Sequence, residues 1–129
     1  MKYRSTMKFM KQFFFLLNVI IIILYLSPCS IFGYILYGDC SLQPKITDDF
    51  IVSSNHVYTF ILLSIIGLIA FKQNLKIIIT YLIFASFFLE FCHLFIEDRA
   101  FQKEDLFGNI IGVIISILIL KLYNKGIFK

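Results

Sequence analysis

Residues 77–96 read IIITYLIFASFFLEFCHLFI, a run with one formal charge, Glu90, and one histidine, His93. An α-helix rises about 1.5 Å per residue, so a run of this length covers the roughly 30 Å hydrocarbon core of a bilayer. The run is apolar nearly all round, so periodicity does not separate helix from strand. Length decides for helix. Three further apolar runs follow the same rule. One covers about 13–32, with Asn18 inside it and a kinked continuation past Pro28. The others cover about 50–71 and about 106–123. The last is short, but the stem of Lys121 can snorkel to the surface. The expected fold is all-α: a polytopic membrane protein of four transmembrane helices, in one domain over residues 1–129.

Composition agrees. The chain is 60% hydrophobic and 16% charged, with a mean hydropathy of +0.89. Soluble domains carry about 25% charged residues, so a soluble helical bundle is a poor fit. There is no internal repeat, low-complexity linker or domain boundary. The net charge of +4 would suggest nucleic acid in a soluble protein. Here its distribution along the chain speaks for topology instead, and no nucleic-acid partner is expected.

With the amino terminus inside, Lys2, Arg4, Lys8, Lys11, Lys72, Lys76, Lys121, Lys125 and Lys129 fall on the inner side. Only Lys45, Arg99 and Lys103 fall outside, together with all the acids. Lysine and arginine bias sets orientation, so both termini are expected in the cytoplasm. Residues 1–26 read as an uncleaved signal-anchor, since they lack a small-residue cleavage site, and Pro28 spoils the lipoprotein-like Leu26-Ser27-Pro28-Cys29. Cys29, Cys40 and Cys92 show no metal-binding spacing. Cys29 and Cys40 share the outer side, so either a disulfide joins them or all three thiols are free.

The polar residues are few and spaced in a pattern: Glu90-x-x-His93, then Arg99, then Asp105-x-x-x-Asn109-x-x-Gly112. Ionisable groups at membrane depth are costly, and each is a candidate functional residue. Glu90 lies about 9 Å below the outer end of the third helix, and His93 is one turn above on the same face. Asp105, Asn109 and Gly112 share one stripe of the fourth helix. His56 lies near the outer end of the second. A polar pocket open to the outer face, formed by Glu90, His93, Arg99, Asp105, Asn109 and His56, is the expected site.

Each residue also has a structural reading. Glu90 would pair with Arg99 or bond Asn109, Asp105 would cap a helix, and Asn109 would link helices. His56 would sit at headgroup level, and Asn18 would be purely structural. Ser53 and Ser54 are placed to cap the second helix. Gly67 and Gly112 are expected to let helices approach closely, as single positions rather than as a paired-glycine motif.

The Glu90–Gly112 pattern, with His56 upstream, resembles the signature of VanZ-like membrane proteins, which runs Glu-x-x-Gln, Arg, Asp-x-x-x-Asn-x-x-Gly. The resemblance covers about 50–116. His93 stands where the family usually has glutamine, Ser116 where a second glycine is common, and Val52 and Ser53 replace the family's Asp-Lys pair. The resemblance implies a multi-pass protein of the bacterial cytoplasmic membrane and a link to tolerance of the glycopeptide teicoplanin. It brings no established reaction.

Three function classes follow. The first is a non-enzymatic envelope protein whose pocket binds a lipid headgroup, a lipid-linked glycan or an amphiphile, with Arg99 as the anion contact. The second is an accessory subunit of a larger membrane complex, whose partners would be other membrane proteins as well as lipids. The third is an enzyme acting on a lipid headgroup, because Glu90, His93, His56 and Asp105 are types suited to acid–base work or a metal. A small proton-coupled exporter fits less well, since Asn18 stands where such proteins carry a carboxylate. No cofactor and no resident metal are expected.

Overall fold

The computed structural model describes residues 2–127, with side chains over 4–124. Lys129 and the side chains of Lys2 and Lys125, assigned above to the inner face, lie outside the described residues. Five α-helices and no strand are present among the described residues: α1 (Lys2–Leu26), α2 (Ile31–Tyr37), α3 (Ser54–Ala70), α4 (Leu75–Cys92) and α5 (Lys103–Ile127). Short 3-10 turns at Lys72–Asn74 and His93–Phe95 flank α4. The stretches Arg4–Leu26, Lys72–Phe95 and Lys103–Asn124 are each long and apolar enough to cross a membrane.

The helix ends depart from the expected runs for local reasons. The first helix stops at Leu26 instead of running on to 32, and a separate short helix follows. Pro28 has no N–H to donate and biases Ser27 away from helical backbone. Ser30 then caps α2 by accepting the Gly33 N–H at 3.1 Å, and Gly38 ends it in the left-handed region at φ 70°. The helix expected over 50–71 starts only at Ser54. Ser53 occupies the N-cap but makes no side-chain cap bond. Asp49 takes that role, accepting the Ser54 N–H at 2.9 Å, while Ser54 donates its hydroxyl to the Thr47 carbonyl at 2.6 Å. This leaves α3 with 17 residues, about 25 Å of helix and short of a full hydrocarbon core. At the other extreme, α5 begins three residues early, with Glu104 and Asp105 in its first turn, where the helix dipole favours acids.

Between α1 and α3 the chain is pinned at several points. A disulfide joins Cys29 and Cys40, with Cα atoms 4.7 Å apart, which decides between the two readings of the cysteines. Cys92 is free. Asn55 on α3 accepts the Ile46 N–H at 3.0 Å and donates to the Pro44 carbonyl at 2.7 Å. The 27–53 segment is thereby docked on the end of the bundle.

The core lies around α3, which packs against α1, α4 and above all α5. Phe60, Leu63, Leu68, Leu82 and Val113 are fully buried. Large apolar side chains of α4 and α5, such as Phe84, Phe88, Phe91 and Leu118, point outward and are exposed. Such a surface is far larger than a soluble monomer tolerates and matches a hydrocarbon solvent.

The α3–α5 contact is close because α5 presents Gly108, Gly112 and Ser116 at four-residue spacing. A Cβ on Gly112 would lie 2.7 Å from the Val57 carbonyl oxygen and 2.8 Å from Phe60 Cβ. Gly112 is therefore one half of a paired-glycine stripe, not an isolated contact. Ser116 extends the stripe, donating to the Gly112 carbonyl at 2.9 Å. Gly67 packs differently: a Cβ there would meet the ring edge of Phe14 at 2.7 Å.

Thermal unfolding in detergent tests this difference. Gly112→Ala should cost about 1–3 kcal/mol, the usual penalty of overpacking, because backbone blocks the added methyl. Gly67→Ala should cost less, because a ring edge can give way. The reverse order would mean that α5 does not lie against the backbone of α3.

Candidate functional site

One end of the bundle gathers polar side chains from every long helix. The last turn of α1 supplies Tyr25, and the first turn of α3 supplies His56. The end of α4 supplies Glu90, the 3-10 turn after it His93, and the start of α5 Asp105 and Asn109. All six residues expected from sequence lie at this end, Arg99 among them in the loop before α5.

Asn109 is the hub and is completely buried. Its Oδ1 accepts from Tyr25 Oη at 3.1 Å and faces His56 Nδ1 at 3.0 Å. Its Nδ2 reaches the Ser86 carbonyl at 3.4 Å. A carbonyl only accepts, so the amide is oriented with its nitrogen toward Ser86 and its oxygen toward the other two. His56 Nδ1 must then donate. Gly108 makes room for this: a Cβ there would stand 3.0 Å from His56 Cβ. The other ring nitrogen, Nε2, lies 3.4 Å from Asp105 Oδ2, with the two side chains 13% and 16% exposed.

Glu90 is also fully buried. Its Oε1 accepts the Gln102 N–H at 2.7 Å, immediately ahead of α5. A carboxylate from α4 therefore completes the amino-terminal end of α5, where backbone donors and the helix dipole favour negative charge. His93 Nδ1 approaches the same oxygen at 3.3 Å. Oε2 is buried with no hydrogen-bond partner.

Arg99 does not pair with Glu90, contrary to the sequence expectation. It donates from Nε to the Ser27 carbonyl at 3.0 Å. The left-handed turn at Asp98, φ 60°, carries the chain over the end of α1, and aspartate is among the residues that tolerate this backbone. His93 Nε2 binds the Tyr25 carbonyl at 2.9 Å. His93 and Arg99 thus satisfy carbonyls at the carboxyl end of α1, groups that a helix leaves without intrahelical partners.

Beside this network lies a cavity of about 350 Å³ between α1, α2, α3 and the 27–53 segment. Leu24, Ile31, Phe32 and Leu36 contribute apolar wall, and His56, His93, Lys45 and Arg99 contribute polar wall. Lys45 pairs with Asp49 at 2.5 Å. The hydrogen bond that Lys45 donates to Asp49 raises the Lys45 ammonium above its ordinary value, and the same bond lowers the Asp49 carboxyl.

Sequence reasoning missed Tyr25, Ser86, Gln102 and the whole α2 wall. The polar tip of Tyr25 at the end of an apolar run was the only available signal. Ser86 and Gln102 act through backbone atoms, which side-chain spacing does not report. Asn18, read as structural, donates to the Phe14 carbonyl one turn back at 3.0 Å and accepts from Tyr81 Oη at 2.5 Å.

His56, Glu90 and Asp105 each offer a donor atom within 4.8 Å of the other two. The Glu90–His93 pair, the alternative on one helix, is already engaged at both imidazole nitrogens. No family model, curated protein or solved structure matches the chain.

Double-mutant cycles separate the true pairs from the expected one. Glu90→Gln with His93→Gln should show a coupling of about 0.5–3 kcal/mol in thermal stability. Glu90→Gln with Arg99→Gln should be additive. Asn109→Ala should be the most damaging single change, since each buried partner left unpaired costs about 1–3 kcal/mol. Coupling of Glu90 to Arg99 instead of His93 would refute the geometry.

Proposed function

We propose that this chain is a four-span protein of a bacterial cytoplasmic membrane, with both termini in the cytoplasm, that holds the head of an anionic amphiphile in its outer cavity without transforming it. The cavity carries the reading. Its wall is largely aliphatic and aromatic, and it also bears Arg99, whose guanidinium fork suits phosphate or carboxylate. Apolar walls with a few placed polar groups are the usual form of a small-molecule site.

The topology has its own support. α3 is short, but it is packed on three sides by α1, α4 and α5, so neighbouring helices shield much of it from lipid. The far end of the bundle holds a second cavity lined by Arg4, Lys8 and Lys11 together with Gln73 and Asn74, a basic surface of the kind found on the cytoplasmic side. The Cys29–Cys40 bridge at the opposite end suits an oxidising compartment. The resemblance of the Glu90–Gly112 pattern to VanZ-like proteins points the same way. It adds a role in tolerance of lipophilic glycopeptides such as teicoplanin.

Two measurements test these proposals. In a Cys92→Ser background, Gln102→Cys should react with an impermeant thiol reagent in intact spheroplasts and Gln73→Cys should not. The opposite pattern would invert the topology. For the ligand, binding of phosphatidylglycerol and phosphatidylcholine to the purified chain would be compared by native mass spectrometry. Phosphatidylglycerol should bind better, and Arg99→Gln should weaken it by about tenfold, the scale of one charge-assisted hydrogen bond. Equal binding of the two lipids, or an Arg99→Gln variant that binds as the parent does, would remove the proposal.

A further inference from the structure

We propose that His56, Asp105 and Glu90 form a binding site for a divalent first-row transition-metal cation, of which Zn²⁺ is the representative, at the base of the outer cavity. Three observations point to it, and each concerns a different residue.

The first is the direction of the His56 ring. Asn109 is oriented by its bond to the Ser86 carbonyl, so its oxygen takes the His56 Nδ1–H at 3.0 Å. In the neutral ring this leaves a lone pair on Nε2, and that lone pair faces the Asp105 carboxylate. Two electron-rich atoms facing each other call for positive charge between them, either a proton, as in a plain ion pair, or a metal ion. An imidazole whose second nitrogen donates to a fixed oxygen is the usual arrangement of a metal-bound histidine.

The second is the spacing. His56 Nε2 and Asp105 Oδ2 stand 3.4 Å apart, a separation that suits a long ion pair and equally two ligands of one ion. Two ligands on a tetrahedral ion with bonds of about 2.1 Å sit roughly 3.4 Å apart. All three donor atoms already fall within 4.8 Å of one another, so modest side-chain closure suffices.

The third is Glu90 Oε2. This side chain is fully buried, and its Oε1 is engaged by the Gln102 N–H and His93. Oε2 has no partner at all. A buried carboxylate oxygen left unpaired is expensive, and a cation is the ligand that would satisfy it.

The donor set of one imidazole nitrogen and two carboxylate oxygens favours zinc, iron, manganese or cobalt over thiophilic ions. Three protein ligands leave a fourth position open, on the side where His56 lines the cavity. The inference does not rest on the amphiphile reading, because it is tested with metal alone.

The purified full chain, stripped with a chelator, would be titrated with Co²⁺ and followed by visible ligand-field absorption, then challenged with Zn²⁺. One Co²⁺ per chain, displaced by Zn²⁺, is expected. Asp105→Asn and Glu90→Gln should each weaken Co²⁺ at least tenfold, whereas Asp49→Asn, on the outer loop, should leave it unchanged. His56→Ala should abolish binding. Should that variant fail to fold, Asp105→Asn carries the test, because it keeps the shape of a partly exposed side chain. Absence of stoichiometric Co²⁺ binding would mean that His56 and Asp105 form a plain ion pair and would overturn the proposal. Binding as tight in Asp105→Asn and Glu90→Gln as in the parent would overturn it as well.

Discussion

Two positions without side chains, one turn apart on α5, let that helix lie directly against the backbone of α3. A Cβ on Gly108 would fall 2.9 Å from the Ser53 carbonyl oxygen, and one on Gly112 2.7 Å from that of Val57. Lipid gives packed helices little hydrophobic reason to associate, so close van der Waals contact and interhelical hydrogen bonds must supply it. The same approach fixes the polar site. Asn109 sits between the two glycines, and only this close crossing brings its amide within reach of His56. Widening the crossing by one methyl group would separate donor from acceptor while leaving every helix intact.

The polar groups gathered at this end of the bundle divide into two kinds. Some complete helix ends that would otherwise present bare backbone to an apolar surrounding: Glu90 serves α5, and His93 and Arg99 serve α1. Others, Asn109 and Tyr25 Oη, satisfy side chains. Left over is Glu90 Oε2, which no hydrogen bond satisfies, beside the long His56–Asp105 contact. A network that meets nearly all of its demands makes the unmet ones informative, since natural interiors leave few such groups.

Length and hydropathy were enough to foresee helices and membrane-scale runs, because both depend on single residues added along the chain. The convergence of Glu90, His93, Asp105, Asn109 and His56 was also legible, through i+3 and i+4 spacing. What failed depended on three-dimensional competition. Glu90 had a cation nine residues away in Arg99, and charge alone suggested pairing. The backbone N–H of Gln102 was closer, and the turn at Asp98 sent Arg99 elsewhere. The break after Leu26 needed the joint effect of Pro28 and the Ser30 cap. The Gly108-x-x-x-Gly112 spacing was legible in the sequence as a paired-glycine motif, whereas the close fit of Gly108 against His56 was not.

Tyr25 and Asn109 are separated by 84 residues, with three complete helices between them, α2, α3 and α4. A chain emerging from the ribosome presents His56 and Glu90 before α5 arrives to receive them. For that interval His56 lacks Asn109, and Glu90 has His93 but not the Gln102 N–H. The site is therefore the last part of the molecule to be assembled, and its completion reports that α5 has packed in register against α3. Correct helix packing and a complete polar site are one event in this architecture, read out by a single buried amide.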